Sequence, residues 1–254
     1  MAWLTTGIVQ RLGRWTVAAA AVAMGLGVQH CAYPHYAGPI RPADGQAEEM
    51  SVADDGTVTF TRDRLEVSLR PMTDEELNRQ FASQSQAGPK STNPYTFADA
   101  DTGVVSPLSL GRFTVFRLRV KNYAYPKVRI DPARIVLRTS NRREYWSLGF
   151  GQLDSYFRAY AIGYRGNEYN RYQERLDVLT RTMFRREAVF SGQEAAGYLV
   201  FPVLHPDVEE LRVEVLEADL RFDYRDEPVE TARINYRFRR DIGRVTPEGV
   251  VLKR

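Results

Sequence analysis

The chain has 254 residues, with 35 Lys plus Arg against 32 Asp plus Glu, three His and one Cys, and 43% of it is apolar. So even a charge balance excludes the strongly basic surface that nucleic-acid binding needs, and a single cysteine excludes an intrachain disulfide framework. The length and apolar fraction suit one large β domain or a domain with insertions.

Residues 1–30 carry only two charges, Arg11 and Arg14, ahead of an uncharged run from Trp15 to Val28. That run is 14 residues long, short of the roughly 20 that a spanning helix needs. A basic region followed by a short apolar region predicts a secretory signal peptide over 1–30. Its removal takes away two arginines and no acid, which leaves the remainder a single positive charge from neutrality. No nucleic-acid partner is expected. The sequence Val28-Gln29-His30-Cys31 then resembles the processing site of bacterial prolipoproteins, where an aliphatic and two small residues precede the cysteine that receives lipid. Val28 fits that pattern and His30 departs from it. The resemblance implies lipid attachment (palmitate or a similar acyl chain) at Cys31 and anchoring to the membrane of the cell envelope. Ala32, where an Asp would signal retention, implies the outer membrane.

Residues 31–55 hold Pro34, Pro39 and Pro42 and no periodic apolar pattern. They read as a lipid-anchored tether. From residue 56 the text "GTVTFTRDRLEVSLRPM" alternates apolar and polar residues as two strands. "MTDEEL" predicts a helix start: Thr73 and Glu76 can form a capping box, and Met72 can pack on Leu77. The helix is expected to end near Ala82. A polar loop follows over 83–111, where Asp99, Asp101 and Gly103 suit an Asx-type turn better than a calcium loop.

Strand signals resume at "FTVFRLRV", with Phe116, Leu118 and Val120 on one face and Arg117 and Arg119 on the other. "KVRIDPARIVLRTS" alternates, breaks at Asp131-Pro132 and alternates again. Further candidates are "REYWSLGF", "EAVFSG", "AAGYLVFPVL", "ELRVEVLEADLRFDY" and "ETARINYRFRR". About nine one-sided strands predict a mainly β fold, an antiparallel immunoglobulin-like sandwich over 56–240, with a C-terminal tail at 241–254. Phe116, Leu118, Leu199, Phe201, Ile234 and Tyr236 are the expected core. The outward arginines Arg117, Arg119, Arg233 and Arg237 are expected to cover a sheet face with their methylene stems. The stretches "FTVFRLRVKN", "REYWSLGF" and "FSGQEAAGYLVFPVL", within 112–240, resemble the telokin-like, immunoglobulin-like domains of bacterial lipoproteins. The resemblance implies a fold and an envelope setting and no activity.

Residues 153–184 interrupt this pattern. Leu153, Tyr156, Phe157, Tyr160 and Tyr164 fall at helical spacing, as do Tyr169, Tyr172, Leu176, Leu179 and Met183, with a turn at "YRGN". An inserted helical hairpin is predicted, docked through Leu176, Leu179 and Met183. Tyrosine offers wide contact area at low entropic cost, so Tyr160, Tyr164, Arg165, Tyr169 and Tyr172 are the candidate partner surface.

The chemistry-bearing motifs are few. The chain contains no G-x-S-x-G, no P-loop and no H-E-x-x-H. His205, beside Asp207, lacks the companions that a zinc site requires, so no metal, cofactor or catalytic residue is expected. The sequence reading is a non-catalytic binding or assembly module whose partner is an envelope protein or a glycan. The alternative is an envelope enzyme acting on glycan or peptide through Asp/Glu carboxylates brought together by the fold.

Overall fold

In the computed structural model, residues 35–85, 91–97, 111–163, 168–246 and 251–253 are described. The chain runs through β1 (His35–Ala37), β2 (Arg41–Pro42), β3 (Met50–Val52), β4 (Val58–Arg62) and β5 (Leu65–Met72). Two short helices follow, α1 (Asp74–Gln80) and α2 (Ala82–Ser85). Next come β6 (Phe113–Asn122), β7 (Lys127–Ile130), β8 (Ile135–Thr139) and β9 (Glu144–Trp146). The hairpin helices are α3 (Phe150–Gly163) and α4 (Glu168–Thr182). The remaining strands are β10 (Ala188–Phe190), β11 (Gln193–Pro202), β12 (Glu210–Phe222), β13 (Pro228–Arg239), β14 (Ile242–Val245) and β15 (Val251–Lys253).

The fold is mainly β, an antiparallel sandwich. One sheet has the order β11-β6-β5-β4-β3. The other runs β10-β7-β12-β13-β2, with β8 also on β12 and β9 on β8. Between them lies the main core, in which Phe116, Leu118, Leu199, Phe201, Ile234 and Tyr236 are all buried. The period of two decides this: in β6, Leu118 is buried while Arg117 and Arg119 are exposed. Tyr236 spans the layers, its hydroxyl donating to the Val67 carbonyl at 2.7 Å.

The break at Asp131-Pro132 divides one edge of β12 between two strands. β7 pairs with Ala218 and Asp219, β8 with Leu211 to Val215, and β12 is bulged between Val215 and Ala218. Proline cannot donate to a ladder. A short 3-10 turn takes its place, with the Asp131 carboxylate accepting from the Ala133 amide at 2.9 Å. The predicted capping box also forms: the Glu76 amide donates to Thr73 Oγ1 at 3.2 Å, and the Thr73 amide donates to Glu76 Oε2 at 3.0 Å.

Two boundaries are corrected. The expected tether is ordered from residue 35 onward: β1 pairs with β14, β2 with the edge of β13, and β3 with β4. Ile40 and Met50 pack against the core. Two apolar anchors ten residues apart leave no periodic signal, and the prolines suit edge positions. The expected tail at 241–254 likewise forms β14 and β15, in a three-stranded sheet with β1. Gly243 permits their approach, since a β-carbon there would lie 3.0 Å from the Leu252 carbonyl carbon. Residues 1–34, with the expected signal peptide and Cys31, lie outside the described residues, as does the Asp99-Asp101-Gly103 segment.

Candidate functional site

The helical hairpin is predicted from its two stripes, and both helices pack on the sandwich where only α4 was expected to. Leu153 and Phe157 of α3 and Tyr172, Val178 and Leu179 of α4 are buried. They form a second core with Leu77, Tyr95, Val115, Tyr198 and Val200, against which Leu176 and Met183 also pack. In β11 the run from Gly197 to Phe201 is therefore buried on both faces. Leu199 and Phe201 face the main core, and Tyr198 and Val200 face the hairpin. At its exit, the Phe184 amide donates to the Tyr198 carbonyl at 3.0 Å.

Beneath the hairpin sit two guanidiniums that the sequence reading did not single out. Arg175 is fully buried; it donates to the Ser91 carbonyl at 2.8 Å and to Glu168, itself buried, at 3.5 Å. Arg112 is nearly buried and donates to the Asn93 carbonyl at 3.4 Å. The Phe157 ring lies 5.4 Å from the Arg112 guanidinium and 5.6 Å from that of Arg175, so one aromatic ring serves both cations. The Nε atoms of both arginines lack a hydrogen-bond partner among the described residues. Burial, with Arg175 nearby, pushes the Arg112 pKa down from its ordinary value. Burial pushes the Asp74 carboxyl up to about 6, against the opposing pull of Arg112. A mid-helix arginine within an apolar stripe was the only signal available for Arg175.

The candidate partner residues divide accordingly. Tyr169 is 66% exposed, on the outer side of α4. Tyr160 is half-buried, its ring 5.8 Å from the Arg112 guanidinium and 5.4 Å from that of Arg175. Tyr172 is a correction: it is buried, and its hydroxyl donates to Asp154 Oδ1 at 2.5 Å, tying α4 to α3. Its hydroxyl need is met inside the hairpin, so it offers nothing to a partner. Tyr164 and Arg165 lie outside the described residues. The outer side of α3 also exposes Ile162, which the sequence reading did not single out, while Tyr156 is partly exposed at the hairpin's edge with its ring 5.2 Å from that of Phe113.

A second feature crosses the outer face of the other sheet. Arg138 on β8, Arg212 on β12 and Arg237 on β13 are direct cross-strand partners, side by side. They line a groove of about 440 Å³ with Arg142, Arg143, Thr139, Ser140 and three glutamates. Arg138 holds two of the glutamates, donating to Glu144 at 2.8 Å and to Glu214 at 2.6 Å. Arg237 donates to the Gly45 carbonyl at 2.9 Å. Arg143 is paired with Asp207 at 2.6 Å, and His205 Nδ1 also meets Asp207 at 2.6 Å on the exposed turn.

Among the described residues no cluster of His, Cys, Asp and Glu has the arrangement to hold a metal, and no helix is long and apolar enough to cross a membrane. No family model matches the chain, and no curated protein matches it. Among solved structures it is similar to a secreted protein from Mycobacterium tuberculosis, MPT63, at 10% identity and a TM-score of 0.29. That match covers 65% of this chain and 90% of the other. A likeness this distant assigns neither family nor activity.

Proposed function

We propose that the protein is exported, anchored to the cell envelope through lipid on Cys31, and acts as a non-catalytic binding or assembly module. The signal-like segment and the placement of the lone cysteine support the anchor. In a cell with two membranes, Ala32 favours the outer one. The telokin-like resemblance within 112–240 supports an envelope setting of the same kind.

The observation that carries the binding role is the outer side of the hairpin. Ile162 is 79% exposed and Tyr169 66% exposed, on helices whose opposite sides are locked into a core. Large apolar side chains held in the open on a rigid element are the composition of a protein contact site. Ile162 offers an aliphatic contact rather than a polar one, which favours an envelope protein over a glycan as partner.

The test compares tagged, detergent-solubilised wild type with an Ile162→Asp, Tyr169→Asp double variant after crosslinking in cells. Both positions are exposed, so the variant is expected to unfold at the wild-type midpoint and to lose its crosslinked partner. A variant that keeps every partner overturns the hairpin reading. Cys31→Ser, followed by fractionation, tests the anchor separately. Release from the membrane fraction is expected, and unchanged membrane association overturns it.

A further inference from the structure

The groove across β8, β12 and β13 places three guanidiniums in one cross-strand row, Arg138 beside Arg212 beside Arg237. Directly opposed side chains in antiparallel strands stand about 5 Å apart, and like charges there are destabilising. Three carboxylates line the same groove: Glu144 and Glu214 are both held by Arg138, and Glu210 forms no ion pair among the described residues. The side chain of Arg212, in the middle of the row, is exposed and makes no hydrogen bond or ion pair among the described residues. Arg237 is steadied from one side by the Gly45 carbonyl, which fixes its direction without neutralising it. At Arg212 and Arg237 the arrangement breaks a local rule of sheet stability with no ion pair among the described residues to offset it. Such violations concentrate where a site serves a ligand.

From this juxtaposition we propose that the groove is an oxyanion-binding site that takes a phosphate monoester or a carboxylate carried by a small ligand. Arg212 and Arg237 supply the charge and planar forks that match oxygen pairs. The hydroxyl of Ser140 stands at the same groove as a further donor, while that of Thr139 is engaged within its own turn by Asn141 and Arg143. Arg138 pairs with Glu144 and Glu214 and so offsets the charge of two of the carboxylates that share the groove. The site is separate from the hairpin surface and uses none of its residues.

The experiment is a calorimetric or NMR titration of the full chain, solubilised in a non-ionic detergent, at low ionic strength. The probes are inorganic phosphate, glucose 6-phosphate and glucuronate, with glucose as the neutral control. Phosphate-type or carboxylate-type probes bind and glucose does not; which of the two binds more tightly identifies the source of the anion. Arg212→Ala weakens binding at least about tenfold, the loss of roughly one charge-assisted contact. Arg117→Ala, an exposed arginine on the other sheet, leaves it unchanged. Arg212→Ala also unfolds no earlier than wild type, because it relieves repulsion within the row, whereas a structural role would lower its midpoint. The proposal is overturned if no anionic probe binds, if Arg117→Ala weakens binding as much as Arg212→Ala, or if Arg212→Ala destabilises the fold.

Discussion

A β-carbon on Gly197 would lie 2.5 Å from Phe184 Cα, so the exit of the helical hairpin and β11 can touch only because position 197 has no side chain. The Phe184-to-Tyr198 backbone hydrogen bond depends on this approach. Replacement with alanine must push the hairpin exit away from the sheet. Gly197→Ala should cost about 1–3 kcal/mol, the usual range for overpacking a filled site. Gly151→Ala serves as the control, since nothing lies within 4 Å of its β-carbon. In the first turn of α3 it should be neutral or stabilise by up to about 1 kcal/mol. Denaturant unfolding of the two variants reads the difference, and equal midpoints would show that the approach is not constrained.

Arg175 is a buried cation whose nearby carboxylate, Glu168, is shared with Arg171. Arg175→Ala removes its bond to Ser91 and opens a void under Phe157. A loss of about 3–5 kcal/mol is expected, as for breaking a buried pair. Arg175→Met combined with Glu168→Gln should recover part of that loss, because the charge and its partner leave together. Near-wild-type unfolding of Arg175→Ala would place this side chain outside the hairpin's anchoring.

The raised Asp74 carboxyl gives a pH signature. Its folded value of about 6 lies above the ordinary 3.8, so the folded state holds the proton more tightly than the unfolded chain does. This group's ionisation therefore penalises the fold above about pH 6, and the penalty disappears as pH falls from 6 towards 4. Asp74→Asn should be more stable than wild type near pH 8 by about 1–3 kcal/mol, with the two converging near pH 4. The difference between the two curves isolates Asp74 from the ion-paired carboxylates Glu194, Asp207 and Asp241, whose pKa values are lowered. Parallel curves across that window would show that Asp74 is not desolvated.

Leu118 lies at the centre of the main core and is fully buried. Leu118→Ala should cost about 2–5 kcal/mol in denaturant unfolding, the range for a core cavity. A change under about 0.5 kcal/mol would mean that the faces of β6 are reversed, because a one-residue slip exchanges them.

What is periodic and local was legible in the chain before any fold was known. The alternation through Phe116, Leu118 and Val120 set the faces of β6, the Thr73-Glu76 spacing set a capped helix, and two apolar stripes set the hairpin. Each of these is written within a short local stretch of chain, where backbone geometry maps spacing onto direction. The tertiary structure decided everything that depends on residues distant in the chain. Ile40 and Met50 became anchors of ordered strands only because a core surface lay beside them. Tyr172 went inward because Asp154, on the other helix, accepts its hydroxyl. Arg112 and Arg175, 63 positions apart in the numbering, meet over one aromatic ring. Arg138, Arg212 and Arg237 each read as an ordinary outward residue of its own strand. Their meeting as a row follows from strand order and register, which long-range pairing sets and local spacing does not encode.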